Sequence, residues 1–204
     1  GASTAEAVSK VMGVDAAAED LVTVLLCQGT KDLAVSKGDY VGIKTCRAAK
    51  LSTGGVKACS WGCQGLGDCV AVCKFDALEM GDDGLPHVNY ENCTGCGMCV
   101  EECPQKLFTL VPRGKKGSIV LCSNRNVIKA NVIKTCKTGC IKCEICVKQC
   151  PEKCIAMVNG IPVTDYDKCT SCGVCVQKCP THAYKLLETD VMGEKKKVPV
   201  LVEA

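Results

Sequence analysis

Three stretches of this chain share one cysteine spacing, C-x2-C-x2-C-x3-C followed by proline. They are Cys93-Cys96-Cys99-Cys103-Pro104, Cys140-Cys143-Cys146-Cys150-Pro151 and Cys169-Cys172-Cys175-Cys179-Pro180. A fourth group, Cys59-Cys63-Cys69-Cys73, is irregular and carries Lys74 in place of the proline. Thiols at i, i+3 and i+6 wrap one side of a compact body, while the fourth points elsewhere. Twenty-one of the 204 residues are cysteine, yet only seven are Phe, Trp or Tyr. Something other than aromatic side chains must therefore fill the interior. Disulfides fit poorly, because the number of cysteines is odd and the runs are crowded. Structural zinc uses separated cysteine pairs rather than continuous runs of four. Inorganic [4Fe–4S] cubes, each needing four converging thiolates, satisfy both the spacing and the missing core.

The spacing is that of bacterial ferredoxins, in which the fourth cysteine of each run ligates the neighbouring cluster. That rule assigns four clusters. Cluster A takes Cys59, Cys63, Cys69 and Cys103, and cluster B takes Cys93, Cys96, Cys99 and Cys73. Cluster C takes Cys140, Cys143, Cys146 and Cys179, and cluster D takes Cys169, Cys172, Cys175 and Cys150. The interleaving puts A beside B and C beside D, so each pair can exchange electrons. Gly95, Gly97 and Gly173 let backbone N–H groups approach sulfur. Cluster C departs from this, with Lys142 and Glu144 at corresponding places.

An internal repeat accounts for the irregular group. Cys59, Cys63, Cys69 and Cys73 recur at an offset of 77 as Cys136, Cys140, Cys146 and Cys150; Cys93 and Cys103 recur at 76 as Cys169 and Cys179. In this alignment Cys143 falls opposite Leu66, so the first loop lacks its middle ligand. Cys59 is the nearest spare thiol and is expected to replace it, leaving its counterpart Cys136 without that task. Five cysteines remain: Cys27, Cys46, Cys122, Cys136 and Cys154. Each reads as a small buried apolar residue, Cys154 most clearly because it stands where an alanine would pack. Cys27 and Cys122 both end apolar strands, and Cys46 and Cys136 both end the string IKTC. These matches leave a fifth four-cysteine site open.

Between the motifs, GLPHVNYENC (84–93) and GIPVTDYDKC (160–169) read as short strands entering the next loop. LFTLV and AYKLLE read as partner strands. Residues 1–20 read as a helix with Val8, Val11 and Met12 on one side, and 21–27 as a buried strand. Residues 31–51 show no clear period, and Ser52–Gly55 signals a turn. The expected fold class is α+β: two tandem bacterial-type 2[4Fe–4S] ferredoxin modules with an N-terminal α/β extension. The expected divisions are an extension at 1–58, module 1 at 59–112, a connecting strand and linker at 113–135, module 2 at 136–190 and a tail at 191–204.

The formal charge of +3 does not argue for nucleic acid. Each cube held by four thiolates carries a net charge of −2, so four would bring the protein to roughly −5. His87 and His182 read as ordinary strand or turn residues, Trp61 as a shield for a cluster, and Lys195–Lys197 as a solvated charge run. No G-x-G-x-x-G after a strand, P-loop or nucleophile elbow occurs. No catalytic residue is expected, and the chain looks unable to bind a nicotinamide or do substrate chemistry alone. No run of 18 apolar residues occurs, so no spanning segment is expected. The chain begins at Gly1 rather than Met, as expected of a trimmed sequence.

The strings YVGIKTCRAAKLSTGGVKACSWGCQGLGDCVAVCKFDAL and VLCSNRN…VIKTCKTGCIKCEICVKQCP resemble the B subunit of the Rnf complex. That complex is a membrane-bound, ion-translocating ferredoxin:NAD oxidoreductase. The resemblance covers nearly the whole chain, and the stretch from Gly62 to Cys73 is its most specific part. It implies a non-catalytic electron-transfer subunit that accepts electrons from soluble ferredoxin and passes them to other subunits of the complex. It also implies a place on the cytoplasmic side of the cell membrane, through an anchor absent from this chain. Family members usually begin with that anchor and another cysteine-rich segment, so this chain is expected to be the soluble C-terminal part. The alternatives are the electron-transfer subunit of a soluble dehydrogenase and a free polyferredoxin. The segment 1–58 argues against the second, since a simple carrier does not need it.

Overall fold

The computed structural model describes residues 2–13 and 20–193. Helix α1 (Ala2–Met12) opens the chain, and its Val8, Val11 and Met12 are exposed. The rest of the expected N-terminal helix, and Lys195–Lys197, lie outside the described residues.

Two similar units follow, each made of a two-stranded ribbon and a hairpin. In the first, β1 (Leu21–Leu25) pairs antiparallel with β4 (Phe108–Pro112), and β2 (Leu78–Met80) pairs with β3 (Pro86–Val88). In the second, β5 (Ser118–Val120) pairs with β8 (Tyr184–Leu186), and β6 (Ile155–Val158) with β7 (Ile161–Thr164). The registers correspond: Thr23 faces Leu110, and Ser118 faces Leu186. β1 and β5 are thus counterparts, at an offset of 95. LFTLV and AYKLLE pair with these upstream strands, not with the strands entering the cluster loops. β1, from the N-terminal segment, is therefore built into the first ribbon.

Strand alternation gives each ribbon two faces. Val22 and Val24 of β1 and Val111 of β4 pack with Ile119 of β5 and Leu187, which joins the two ribbons. Each such residue, fully buried, contributes about 1.5–3 kcal/mol. The opposite faces turn toward cysteines. Leu25 and Phe108 pack with Cys69 and Cys99, while Val120 and Tyr184 pack with Cys140, Cys146 and Cys175.

Short helices α3 (Asp68–Ala71), α4 (Met98–Glu102), α6 (Ile145–Lys148) and α7 (Val174–Gln177) each follow a cysteine loop. Two more helices lie outside this repeat, α2 (Cys46–Thr53) within the aperiodic segment and α5 (Lys129–Thr135) before Cys136. All four loops bend through the same pair of left-handed residues: Gly65 and Gly67, Gly95 and Gly97, Lys142 and Glu144, Ser171 and Gly173. The loop around Leu66 has thus kept the shape of a cluster loop although it lost a cysteine. Lys142 and Glu144 adopt a conformation costly for side-chain-bearing residues, on the order of 1–2 kcal/mol each.

Candidate metal centres

The loops and ribbons surround hollows, partly open to solvent, lined mainly by cysteines and apolar side chains. One, of about 330 Å³, is bounded by Cys73, Cys93, Cys96 and Cys99. Another, of about 300 Å³, is bounded by Cys150, Cys169, Cys172 and Cys175. These are sites B and D as the sequence groups them. Cys140, Cys146 and Cys179 pack together with Val147 and Tyr184. Burial raises the Cys146 thiol to about 12, and the neighbouring Cys140, Cys143 and Cys179 add to the effect. That grouping is site C.

Site A differs from the sequence expectation. Its cavity, of about 360 Å³, is bounded by Cys63, Cys69, Cys103 and Cys46, not by Cys59. The reason is local. The Asp68 carboxylate accepts hydrogen bonds from the backbone N–H groups of Cys46 (2.8 Å) and Arg47 (3.2 Å), at the start of α2. The Thr45 hydroxyl accepts a further bond from Ala48 N–H (3.2 Å). These groups satisfy donors that a helix start leaves free and hold Cys46 against the loop that lost its ligand. Cys59 instead turns toward Cys27 and Cys136, the cysteines that add to the burial-driven rise of its thiol.

The donors suit cubic clusters. Among the described residues, no three His, Cys, Asp or Glu side chains converge tightly enough for a single metal ion. The sulfurs stand back around a space instead. Thr23 N–H lies 3.5 Å from Cys93 Sγ, and Ala183 N–H lies 3.3 Å from Cys179 Sγ. The Thr23 hydroxyl is 3.5 Å from Cys99 Sγ and the Ser118 hydroxyl 3.1 Å from Cys175 Sγ. Once the cysteines are thiolates, these two hydroxyls can donate to sulfur, an interaction that tunes cluster potential. Burial also pushes the Cys63 thiol up to about 12, and raises Cys46, Cys69, Cys99 and Cys140. Such thiols become thiolates when a cation takes the proton's place.

Of the remaining residues, Cys154 borders cavity D with its Sγ 3.4 Å from that of Cys150. It occupies the place of Ala77 in the first unit, and both are buried. Neither His87, paired with Asp83 at 2.9 Å, nor His182 borders these cavities. Cys46, which the sequence leaves among the five remaining cysteines, is the thiol that the structure places beside the loop around Leu66. The usable signal was that Cys59 aligns with Cys136, and aligned cysteines should share a role.

A 4Fe-4S binding domain matches residues 86–108 and 162–185, and a second 4Fe-4S binding domain matches 137–153. The chain is 47% identical over 170 residues to the B subunit of the Na(+)-translocating ferredoxin:NAD(+) oxidoreductase complex of Acetobacterium woodii, covering 82% of this chain and 50% of that protein. It is 41% identical over 165 residues to the B subunit of the proton-translocating ferredoxin:NAD(+) oxidoreductase complex of Clostridium ljungdahlii, covering 80% and 57%. The B subunit of an ion-translocating oxidoreductase complex from Methanosarcina acetivorans is 36% identical, over 56% of this chain and 42% of that one. The chain thus spans about half the length of these relatives. Among the described residues no helix is long and apolar enough to cross a membrane. With its iron–sulfur binding domains and relatives of this one kind along most of its length, the chain belongs to the B-subunit family of the Rnf ferredoxin:NAD oxidoreductase complexes.

Proposed function

We propose that this chain conducts electrons through [4Fe–4S] clusters inside an ion-translocating ferredoxin:NAD oxidoreductase complex. It accepts electrons from soluble ferredoxin and hands them to other subunits on the cytoplasmic side of the membrane. The ligand sets are Cys46, Cys63, Cys69 and Cys103 for A; Cys73, Cys93, Cys96 and Cys99 for B; Cys140, Cys143, Cys146 and Cys179 for C; and Cys150, Cys169, Cys172 and Cys175 for D. One observation carries the reading: Cys73 and Cys103 each leave their own loop to border the neighbouring cavity. Such exchange couples two clusters closely.

The clusters supply one-electron redox chemistry when bound. The chain's own residues hold thiolates at fixed positions, exclude water through Leu25, Phe108, Val120 and Tyr184, and direct hydroxyl and amide donors at sulfur. Cys96 of site B and Cys172 of site D are exposed, whereas none of the cysteines of sites A and C is. Sites B and D are accordingly the ends through which electrons arrive and leave.

Anaerobically purified protein should be brown, with at least about 16 iron and 16 sulfide per chain, and dithionite should bleach it. Reduced ferredoxin mixed with it in a stopped-flow instrument should bleach the same absorbance. A protein that holds iron but takes no electrons from reduced ferredoxin would refute the assigned donor. One that holds little iron would refute the cluster assignment.

A further inference from the structure

The two units meet where β1 and β5 end. Cys27 and Cys122 form an antiparallel bridge there, and they are counterparts at the same offset of 95 that relates Thr23 to Ser118. Around this junction lies a further cavity, of about 380 Å³, bordered by Cys27, Cys59, Cys122 and Cys136. Cys59 and Cys136 are themselves counterparts at the offset of 77. Each unit thus contributes the same two cysteines, from the end of its first strand and from just before its first cluster loop. Corresponding residues facing one another across a junction are what a local twofold relation produces.

We infer that these four cysteines hold a fifth [4Fe–4S] cluster, seated between the two ferredoxin units. The cavity is as roomy as those of sites A, B and D. Its donor set is four thiols, with no carboxylate or imidazole among the bordering residues. Hydrogen-bond donors already point at the sulfurs, as a cluster's thiolates require. Gly29 N–H lies 3.4 Å from Cys27 Sγ and Cys140 N–H lies 3.3 Å from Cys122 Sγ. The buried Asn124 amide lies 3.4 Å from Cys59 Sγ. Gly29 lines this space closely: a Cβ there would meet Ala34 Cβ at 3.1 Å and touch Cys27 Sγ and Cys136 Sγ at 3.6 and 3.7 Å. Lys57, itself buried, borders the same cavity and donates to the Gly29 carbonyl. A buried ammonium is costly unless a negative charge lies near it. A cube with four thiolates supplies that charge.

The position gives the site a task, which rests on the reading of A to D as clusters. Cys27 packs against the group that holds Cys63 of site A, while Cys122 accepts its bond from Cys140 of site C. The fifth site therefore joins one unit to the other in the order B, A, fifth, C, D. A cluster held there would take up one electron from A and give it up to C. No bond forms or breaks, and no proton moves. Five sites use twenty of the 21 cysteines, leaving Cys154 in the place of Ala77.

The test is elemental analysis of the full chain, loaded anaerobically with iron and sulfide, with zinc measured alongside and reduced spins integrated by EPR. The parent should hold about 20 iron and no zinc. Cys136→Ala and Cys27→Ala should each lose about four iron while retaining the EPR signals of the other sites. A parent with about 16 iron overturns the inference, as does a parent with one zinc per chain, or a Cys136→Ala protein with undiminished iron. The spin count of the parent decides the matter even where a variant does not fold: about five spins support the fifth site and about four refute it. A parent with little iron would instead overturn the underlying cluster reading.

Discussion

Asp68 is not a metal ligand, yet the structure makes site A depend on it. Its carboxylate takes the N–H groups of both Cys46 and Arg47 at the start of α2. Asp68→Ala removes both acceptors. Water can satisfy the Arg47 N–H, which is exposed, but the Cys46 N–H is partly buried. A lost cap costs about 0.5–2 kcal/mol, and a hydrogen bond to a charged acceptor about 1.5–3 kcal/mol. Together, about 2–3 kcal/mol of the docking of α2 should go, a roughly 30- to 140-fold drop in the population that presents Cys46. The other three cysteines of site A stay in place. Three thiolates suit a three-iron cluster, so the oxidised variant should show a three-iron EPR signal. A chelator should strip iron from this site first, at least about tenfold faster than from the parent. Asp68→Asn retains one acceptor oxygen and should fall between. Refutation would be an Asp68→Ala protein with the parent's chelator kinetics and no three-iron signal. A three-iron signal from site A in Cys59→Ala but not in Cys46→Ala would refute the reasoning too.

Two further substitutions probe the loops. Gly95 has φ +65°, and a Cβ there would sit 2.8 Å from both the carbonyl carbon and the Cβ of Leu21. The obstacle is largely backbone of β1, so Gly95→Ala should destabilise the protein by about 2–4 kcal/mol. Thermal unfolding of the loaded protein reads this, and an unchanged midpoint would mean that β1 does not rest on this loop. Glu144 follows Cys143 of site C, and its carboxylate is half-exposed and 3.9 Å from Lys148 Nζ. Removing a largely solvated charge should raise that cluster's potential by only on the order of 20 mV, and less at high salt. A redox titration giving a shift several times larger would show that solvent does not screen this carboxylate.

The regular part of the fold was legible because cysteine spacing and strand alternation are local. The runs at Cys93, Cys140 and Cys169 announce their loops, and the apolar strings around Val22, Phe108 and Tyr184 announce the ribbon strands. Which strands pair was less visible. β1 and β4 are separated by more than eighty residues, and nothing in LFTLV distinguishes one antiparallel partner from another. The middle of the chain was harder still. Residues 31–51 have no period because most of that segment is irregular connection. The helix it leads into is only eight residues long, and beyond its local cap at Thr45 its first N–H groups are held from outside by Asp68. A cap supplied by a distant side chain leaves no trace in the spacing around Cys46.

The choice between Cys46 and Cys59 shows what a repeat can and cannot decide. Proximity along the chain favours Cys59, only four residues before Cys63. Symmetry favours the opposite conclusion. Cys59 has a counterpart in Cys136, and that counterpart lies beside a loop with all its cysteines. If equivalent positions do equivalent work, Cys59 cannot be the remedy for a defect that exists in one unit alone. The remedy must come from a residue without an equivalent. Cys46 is such a residue, since the connection from β5 to Cys136 is much shorter than that from β1 to Cys59 and holds no cysteine in a corresponding place. Leu66 and Cys46 are therefore complementary: the loop carries a leucine where its counterpart carries a cysteine, and the longer connection of the first unit brings a thiol to the same cavity. The cysteines with equivalents, Cys27 with Cys122 and Cys59 with Cys136, remain free for the junction that both units share.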